Sequence, residues 1–512
     1  MSKEIWVVPF FGQGHLFPSM ELCKQIASRN INTLLVIPSN LSFSIPSSLR
    51  QYPLLQIVEI QPTSAPSAQP GPDPIDQPPH GNPDQFEMGL ENLLQAQVTG
   101  PDSVRPICAI LDVMMDWTTE VFNKFDIPTI GFFTSGACSA AMEYGLWKAQ
   151  PIDLKPGEVR LLPGLPEEMA VTYLDTNQRP HQPPGPPLHL FGVGHQGPFV
   201  DGAHRPPGPP PPPYLGRAGP RQRGPPKHGS QPPWVDGLKG SIALMINTCD
   251  YLERPFIEYL TKQIGKPVWG VGPLLPEQFW NSVSSNSILH DHEIRTNRQS
   301  NVSEDDVIQW LDSKPRGSVL YVCFGTEVSP SMEEYSELAD ALEASTQPFI
   351  WVVHSGTGRS GPPPSRGPTQ EDYFPHGLAS QVGPKGLIIN GWAPQLLILS
   401  HSSIGGFLTH CGWNSTVEAI GLGVPLLAWP IRGDQNYNAK LVVAHLKLGF
   451  MISDNLSEKI KKHEIVKGIK TLMGDDDIKS RARNLAAIFQ KGFPISSTTN
   501  LDVFRDMINN FT

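Results

Sequence analysis

Residues 392–435 read WAPQLLILSHSSIGGFLTHCGWNSTVEAIGLGVPLLAWPIRGDQ. The run GGFLTH, Gly405–His410, has the length and apolar content of a buried strand, and helical spacing begins near Asn414. A strand that turns through Gly412 into a helix leaves backbone N–H donors unpaired at the helix start, where Asn414 and Ser415 add short side-chain donors. That arrangement suits a diphosphate. His410, at the strand's end, can donate one further hydrogen bond to the same anion. Glu418 lies on the same helix face as Asn414, about one turn further in. A carboxylate there can accept from the two hydroxyls of a ribose. Trp392, at the end of another strand, offers a flat face to a base whose edge Gln395 can reach. Asp434 and Gln435, after the strand PLLAWP, form a polar pair suited to sugar hydroxyls. Each residue alone reads more simply as core; together they describe a sugar-nucleotide site.

The same rhythm extends outward. SVLYVCF, FIWVV and GLIIN are strands, with helices from Met332, Pro394, Asn414 and Asn436 between them. In the first third EIWVVPF, INTLLVIP, LLQIVEI, ICAILD and IPTIGFF are strands. They alternate with helices at residues 16–30 (Leu16, Met20, Cys23 and Ala27 on one face), 86–98 and 118–125. Continuous Ile/Val/Leu runs separated by helices indicate parallel sheets buried on both faces. The chain is therefore read as α/β, with two Rossmann-like doubly wound domains facing across a cleft. Ligands belong at the carboxyl ends of the strands, where all the residues named above fall.

Between the halves, roughly Leu162 to Val235, lies a proline-rich segment that includes PPGPPPPPYLGRAGPRQRGPP. Such composition is expected to be polyproline II or without regular structure. It reads as an expanded surface loop; a PxxP ligand for a recognition domain is the alternative. The expected boundaries are 1–275 for an N-terminal acceptor-binding domain carrying that loop and 276–303 for a linker. Residues 304–490 then form the sugar-nucleotide domain, and 491–512 a terminal helix packing back on the N-terminal half.

The totals narrow the function. With 512 residues, one core is too few. A net charge of −10 disfavours nucleic acid or an anionic membrane as partner. The six cysteines are scattered without paired spacing, as in a reduced compartment. The chain opens directly into a strand, and no apolar run has the ~18 residues of a membrane span. A cytoplasmic location is expected from these features, and a monomer is the expected state.

Residues 392–435 closely resemble the signature box of plant UDP-dependent glycosyltransferases (family 1) over all 44 positions without a gap. The likeness extends to VLYVCFGT, PFIWVV, NTCDYLE, VWGVGPL and FFGQGH. The resemblance implies a GT-B fold and an inverting transfer of sugar from a UDP-sugar donor to a small acceptor, with no cofactor or metal. It places Trp392 on uracil, Ala393 and Gln395 at the uridine and Glu418 on the ribose. His410, Asn414, Ser415 and Thr326 take the diphosphate. Asp434 and Gln435 hold the transferred sugar, with Trp413 and Thr134 beside it. A closing Gln in the box goes with UDP-glucose.

Such a transfer needs a base near neutrality to take the acceptor proton. In FFGQGHLFPSM, Phe10–Met20, His15 follows a strand end in the opposing half and can face the anomeric carbon. Asp112, ending ICAILD, is expected to orient it, with Asp116 ranked second. Gly14, Phe11, Met114 and Trp117 are the expected acceptor contacts, which favour an apolar, planar acceptor such as a flavonoid or other phenolic. A terpenoid acceptor, or a non-catalytic interaction protein on a UDP-sugar-binding fold, are the alternatives. A dinucleotide finger is disfavoured because Phe17 stands where the third glycine is needed and VIPSN ends without an acid. Asp475–Asp477 has the form of a metal-binding DxD but lies between two C-terminal helices, not at a strand end.

Overall fold

The computed structural model describes residues 3–61, 83–100, 104–151, 153–176, 229–285, 300–353 and 377–511. Fifteen strands occur among them. β1 (Glu4–Val8), β2 (Asn32–Pro38), β3 (Leu55–Ile60), β4 (Cys108–Asp112) and β5 (Thr129–Phe133) come first. β6 (Val159–Arg160) and β7 (Val171–Thr172) form a separate antiparallel pair, and β8 (Ser241–Ile246) and β9 (Val268–Gly270) complete the N-terminal half. The C-terminal half holds β10 (Val319–Cys323), β11 (Phe349–Val353), β12 (Gly386–Asn390), β13 (Ile404–Thr409), β14 (Leu426–Ala428) and β15 (Gly449–Met451).

Two parallel sheets result, ordered β3-β2-β1-β4-β5-β8-β9 and β12-β11-β10-β13-β14-β15. In both, the strand order reverses beside the first strand of its half, β1 or β10. The reversal separates the loops that follow the two paired strands and opens a crevice at their carboxyl ends. β4, β5, β10 and β11 are buried along their whole length, which is why their sequences are unbroken apolar runs. Trp6 on β1 has no solvent exposure and meets Phe122 edge-on at 6.0 Å.

The proline-rich stretch requires a correction at its ends. Leu162, Leu165, Met169 and Val171 are buried, the last within β7, and Trp234 is buried at the start of a short helix, Pro233–Gly237. These large apolar side chains anchor the flanks in spite of the neighbouring prolines. Residues 177–228, which hold the polyproline run, lie outside the described residues.

The segment joining the halves contains the helix Glu277–Ser285. Its Phe279 lies against Gly421 of the C-terminal half. The last helix, Ile495–Asn509, meets N-terminal residues: Arg29 pairs with Asp502 at 2.9 Å, Asn500 Nδ2 donates to Gly270 O at 3.0 Å, and Phe504 packs on Trp269. Asp475 caps the following helix by accepting from Ile478 N at 2.8 Å.

Candidate active site

The pairing of β1 with β4 sets Val8 beside Leu111, so the loops that follow these strands are neighbours. The first loop leads into the helix Gln13–Ala27 and carries His15; β4 ends on Asp112. His15 Nδ1 lies 2.7 Å from Asp112 Oδ2, and Thr134 Oγ1, just past β5, lies 2.9 Å from the same nitrogen. The other carboxylate oxygen of Asp112 accepts from Met114 N at 2.9 Å. The His15 side chain is 27% exposed whereas that of Asp112 is fully buried, so a substrate can reach the ring but not its partner. Burial pushes the imidazole pKa down. The charge and hydrogen bond of Asp112, then the charges of Glu327 and Asp434, outweigh that and hold it above the ordinary histidine value.

In the opposing half, His410 follows β13 and is clasped by two glycines. A Cβ on Gly412 would lie 2.4 Å from its Nε2, and one on Gly325 2.9 Å from its Cε1. Gly325 also has φ +73°, and Cys411, between His410 and Gly412, has φ +62°. Burial, helped by the charge of Arg432, lowers the His410 pKa to about 4. The ring is therefore neutral near pH 7, with one N–H to donate. The helix Trp413–Gly421 starts immediately after this turn.

On that helix Glu418 is 2% exposed and accepts from Gln395 Nε2 at 2.6 Å. The same amide donates to Ser415 Oγ at 3.1 Å, and its oxygen lies 3.4 Å from the Tyr321 hydroxyl. Trp392 and Ala393 stand just before the Gln395 helix, beyond β12; Trp392 is partly exposed and Ala393 buried. Thr326 is exposed in the loop after β10. An open cleft between the halves is lined by Phe17 and Lys24 from one side and by Asn414 and Glu418 from the other.

The halves also touch directly. Ser135 Oγ donates to Asp434 Oδ2 at 2.7 Å, and Asn414 Nδ2 donates to Gly14 O at 3.1 Å. Gln435 Oε1 accepts from Ile431 N and Arg432 N at 3.0 and 3.1 Å, which leaves its amide hydrogens toward other partners. Trp413 is 4% exposed and donates from Nε1 to Asn247 O at 2.6 Å. Its indole thereby ties the two halves and presents little surface to a ligand, unlike the sugar-facing position expected for it.

Around His15 the aromatic residues are arranged in a chain. Phe10 meets the imidazole edge-on at 5.1 Å between ring centroids, Phe11 packs on Phe86, and Phe86 meets Trp117. Phe11, expected as an acceptor contact, is buried in the N-terminal core, and Phe10 is the ring that meets His15. Met114 is 53% exposed, and Gly14 is exposed with open space where a side chain would stand. Among the described residues no three His, Cys, Asp or Glu side chains gather as metal ligands.

Glu253 escaped the sequence reading. It has no solvent exposure, and its carboxylate accepts from Ala137 N at 2.8 Å and Cys138 N at 2.7 Å, capping the helix Ala137–Ala149. Burial pushes this carboxyl up to about 7, against the hydrogen bonds from those backbone groups. The cap anchors the loop Thr134–Gly136, whose hydroxyls reach His15 and Asp434. Glu253→Gln replaces one accepting oxygen by a donor facing an N–H, a loss of about 1–3 kcal/mol. Calorimetry should show the thermal midpoint lowered by about 2–6 °C, and initial rates should show kcat roughly tenfold lower, in the range typical of a misplaced catalytic group.

The family described as "UDP-glucoronosyl and UDP-glucosyl transferase" matches residues 284–501. UDP-glycosyltransferase 73C11 of Barbarea vulgaris is 30% identical over 519 residues, covering 94% of this chain and 90% of that protein. The chain belongs to the plant UDP-glycosyltransferases. The scopoletin glucosyltransferase of Nicotiana tabacum is 29% identical over 530 residues, covering 98% of this chain and 97% of that one. In fold the glycosyltransferase matches the crystal structure of Glycyrrhiza uralensis UGT73P12 complexed with glycyrrhetinic acid 3-O-monoglucuronide. The TM-score is 0.72 at 24% identity, over 100% of this chain and 96% of the other. It also matches TcCGT1 in complex with UDP, with a TM-score of 0.71 at 21% identity over the whole of both chains. The fold is GT-B, and the enzyme is an inverting UDP-glycosyltransferase whose donor is a UDP-sugar and which needs no cofactor.

Proposed function

We propose that this glycosyltransferase moves glucose from UDP-glucose to a hydroxyl of a small phenolic acceptor, a flavonoid or coumarin, with His15 as general base oriented by Asp112. The observation that carries this reading is the 2.7 Å contact between His15 Nδ1 and the buried Asp112 carboxylate. Donation from Nδ1 to Asp112 selects the tautomer whose Nε2 holds a lone pair for the acceptor O–H. The acceptor oxygen attacks the anomeric carbon as its proton passes to Nε2. The bond from that carbon to the UDP oxygen breaks on the opposite face, and the configuration inverts. Asp112 then stabilises the imidazolium, with Thr134 as a second neighbour of Nδ1.

In this reading Trp392, Ala393 and Gln395 hold the uridine, and Glu418 holds the ribose hydroxyls. Neutral His410, Thr326, Asn414, Ser415 and the N–H groups opening the Trp413 helix receive the charge that develops on UDP. Asp434 Oδ1 and the Gln435 amide face the hexose. The half-buried Phe10, edge-on to His15, and the half-buried Trp117 support a planar acceptor, in keeping with a relative named for scopoletin.

Asp112→Asn tests the pair. Without the carboxylate charge the His15 pKa falls, so the rising limb of kcat/KM against pH should move to lower pH while the plateau drops about a hundredfold, at the low end for a group that assists proton transfer. A limb that stays in place would remove Asp112 from the mechanism. UDP release assayed with and without a panel of flavonoids and coumarins identifies the acceptor class.

A further inference from the structure

The family description spans two donors, one with a neutral hexose and one whose sugar carries a carboxylate, and any member must choose between them. The charges around His15 bear on that choice. Glu327, in the loop after β10 and next to Thr326, reaches across the cleft until its Oε1 is 3.2 Å from where a Cβ on Gly12 would stand. That same position is 3.4 Å from His15 Cδ2. Glu327 is exposed at this mouth. On the other side Asp434 is held at the cleft by Ser135, whose neighbour Thr134 touches His15. Asp112 supplies a third carboxylate behind the ring. The charges of Glu327 and Asp434 both act on His15, as does that of Asp112. Carboxylates thus surround the ring on the side where the sugar is placed in the reading above.

We propose that Glu327 is a specificity-determining residue that, together with Asp434, excludes donors whose sugar is a uronate and so selects neutral UDP-hexoses. A uronate carboxylate beside Asp434 would meet that like charge, with Glu327 near His15 as a second, in a partly enclosed cleft where screening by solvent is reduced. A neutral hexose meets no such cost and can donate hydroxyls to the same oxygens. The inference rests on the placement of the sugar by Asp434 and Gln435 argued above, but it needs no assumption about the acceptor.

Isothermal titration of the full chain with UDP-glucose and UDP-glucuronate tests it without an acceptor. The wild type should bind UDP-glucose at least about a hundredfold more tightly. Glu327→Gln should narrow that ratio about tenfold and Glu327→Lys further, and raising the salt concentration should narrow it in the wild type and less in Glu327→Gln, where the Asp434 charge remains. Because Glu327 is exposed, neither substitution disturbs a core. A wild-type ratio near one, or a ratio unmoved in both variants, would overturn the charge filter. The phenolic reading is judged separately, by turnover of UDP-glucose with the acceptor panel.

Discussion

His15→Ala should lower kcat for transfer to a phenolic acceptor by about a thousandfold while the Kd for UDP stays within about twofold of wild type. General-base assistance of this kind is worth about 10²–10⁴ in rate. The middle of that range applies because the two groups that meet Nδ1 cannot take the ring's place. Asp112 is fully buried behind the ring, and Thr134 meets only Nδ1. The nucleotide residues lie on the other half of the molecule, so removing an imidazole from the helix Gln13–Ala27 leaves them in place. Alanine also leaves a gap between Phe10 and Gly12 of the size of the lost ring. Added imidazole should therefore restore part of the rate, with a dependence on its unprotonated form. Stopped-flow or discontinuous UDP-release assays at saturating donor measure both effects. Wild-type turnover in the variant would sink the assignment.

Glu418→Ala should weaken UDP binding about a hundredfold, read by titration calorimetry. Two ribose hydroxyls donating to one carboxylate are charge-assisted hydrogen bonds, each worth about 1.5–3 kcal/mol before the cost of ordering the ligand. The carboxylate is already desolvated and aimed, at 2% exposure, by the 2.6 Å bond from Gln395. Its loss also strands that amide, which keeps only Ser415 as an acceptor. Glu418→Gln separates the two contributions, since it retains the shape and loses the charge. A UDP Kd within twofold of wild type in the alanine variant would remove Glu418 from the nucleotide site.

How far these residues could be read from the chain differs from one to the next. The strands announce themselves because both faces of each are buried, and FIWVV or CAILD has no polar face to confuse the period. The turn HCGWNS is equally legible, since a strand, a glycine and a helix start within six residues are local features. Trp413 shows the limit: its place in that turn is plain, but the partner of its indole, Asn247, is 166 residues away. Phe10 and Phe11 show another. Their rings stack at 5.6 Å, yet Phe11 continues into the core while Phe10 meets His15, a difference that no local pattern encodes. Glu253 sits in an amphipathic run where an acid reads as a solvent-facing residue. Only the kink at that position, with φ −144°, turns it inward to the helix Ala137–Ala149.

The sequence by itself determined the α/β class, the two repeated halves and the strand–turn–helix at Gly405–Gly421, because each rests on spacing within a few residues. Only the tertiary structure placed Asp112, not Asp116, against His15, Ser135 against Asp434 across 299 residues, and Glu327 beside Gly12. Parallel strand order and domain closure are set by packing between segments far apart in the chain. No local periodicity encodes which loop ends beside which.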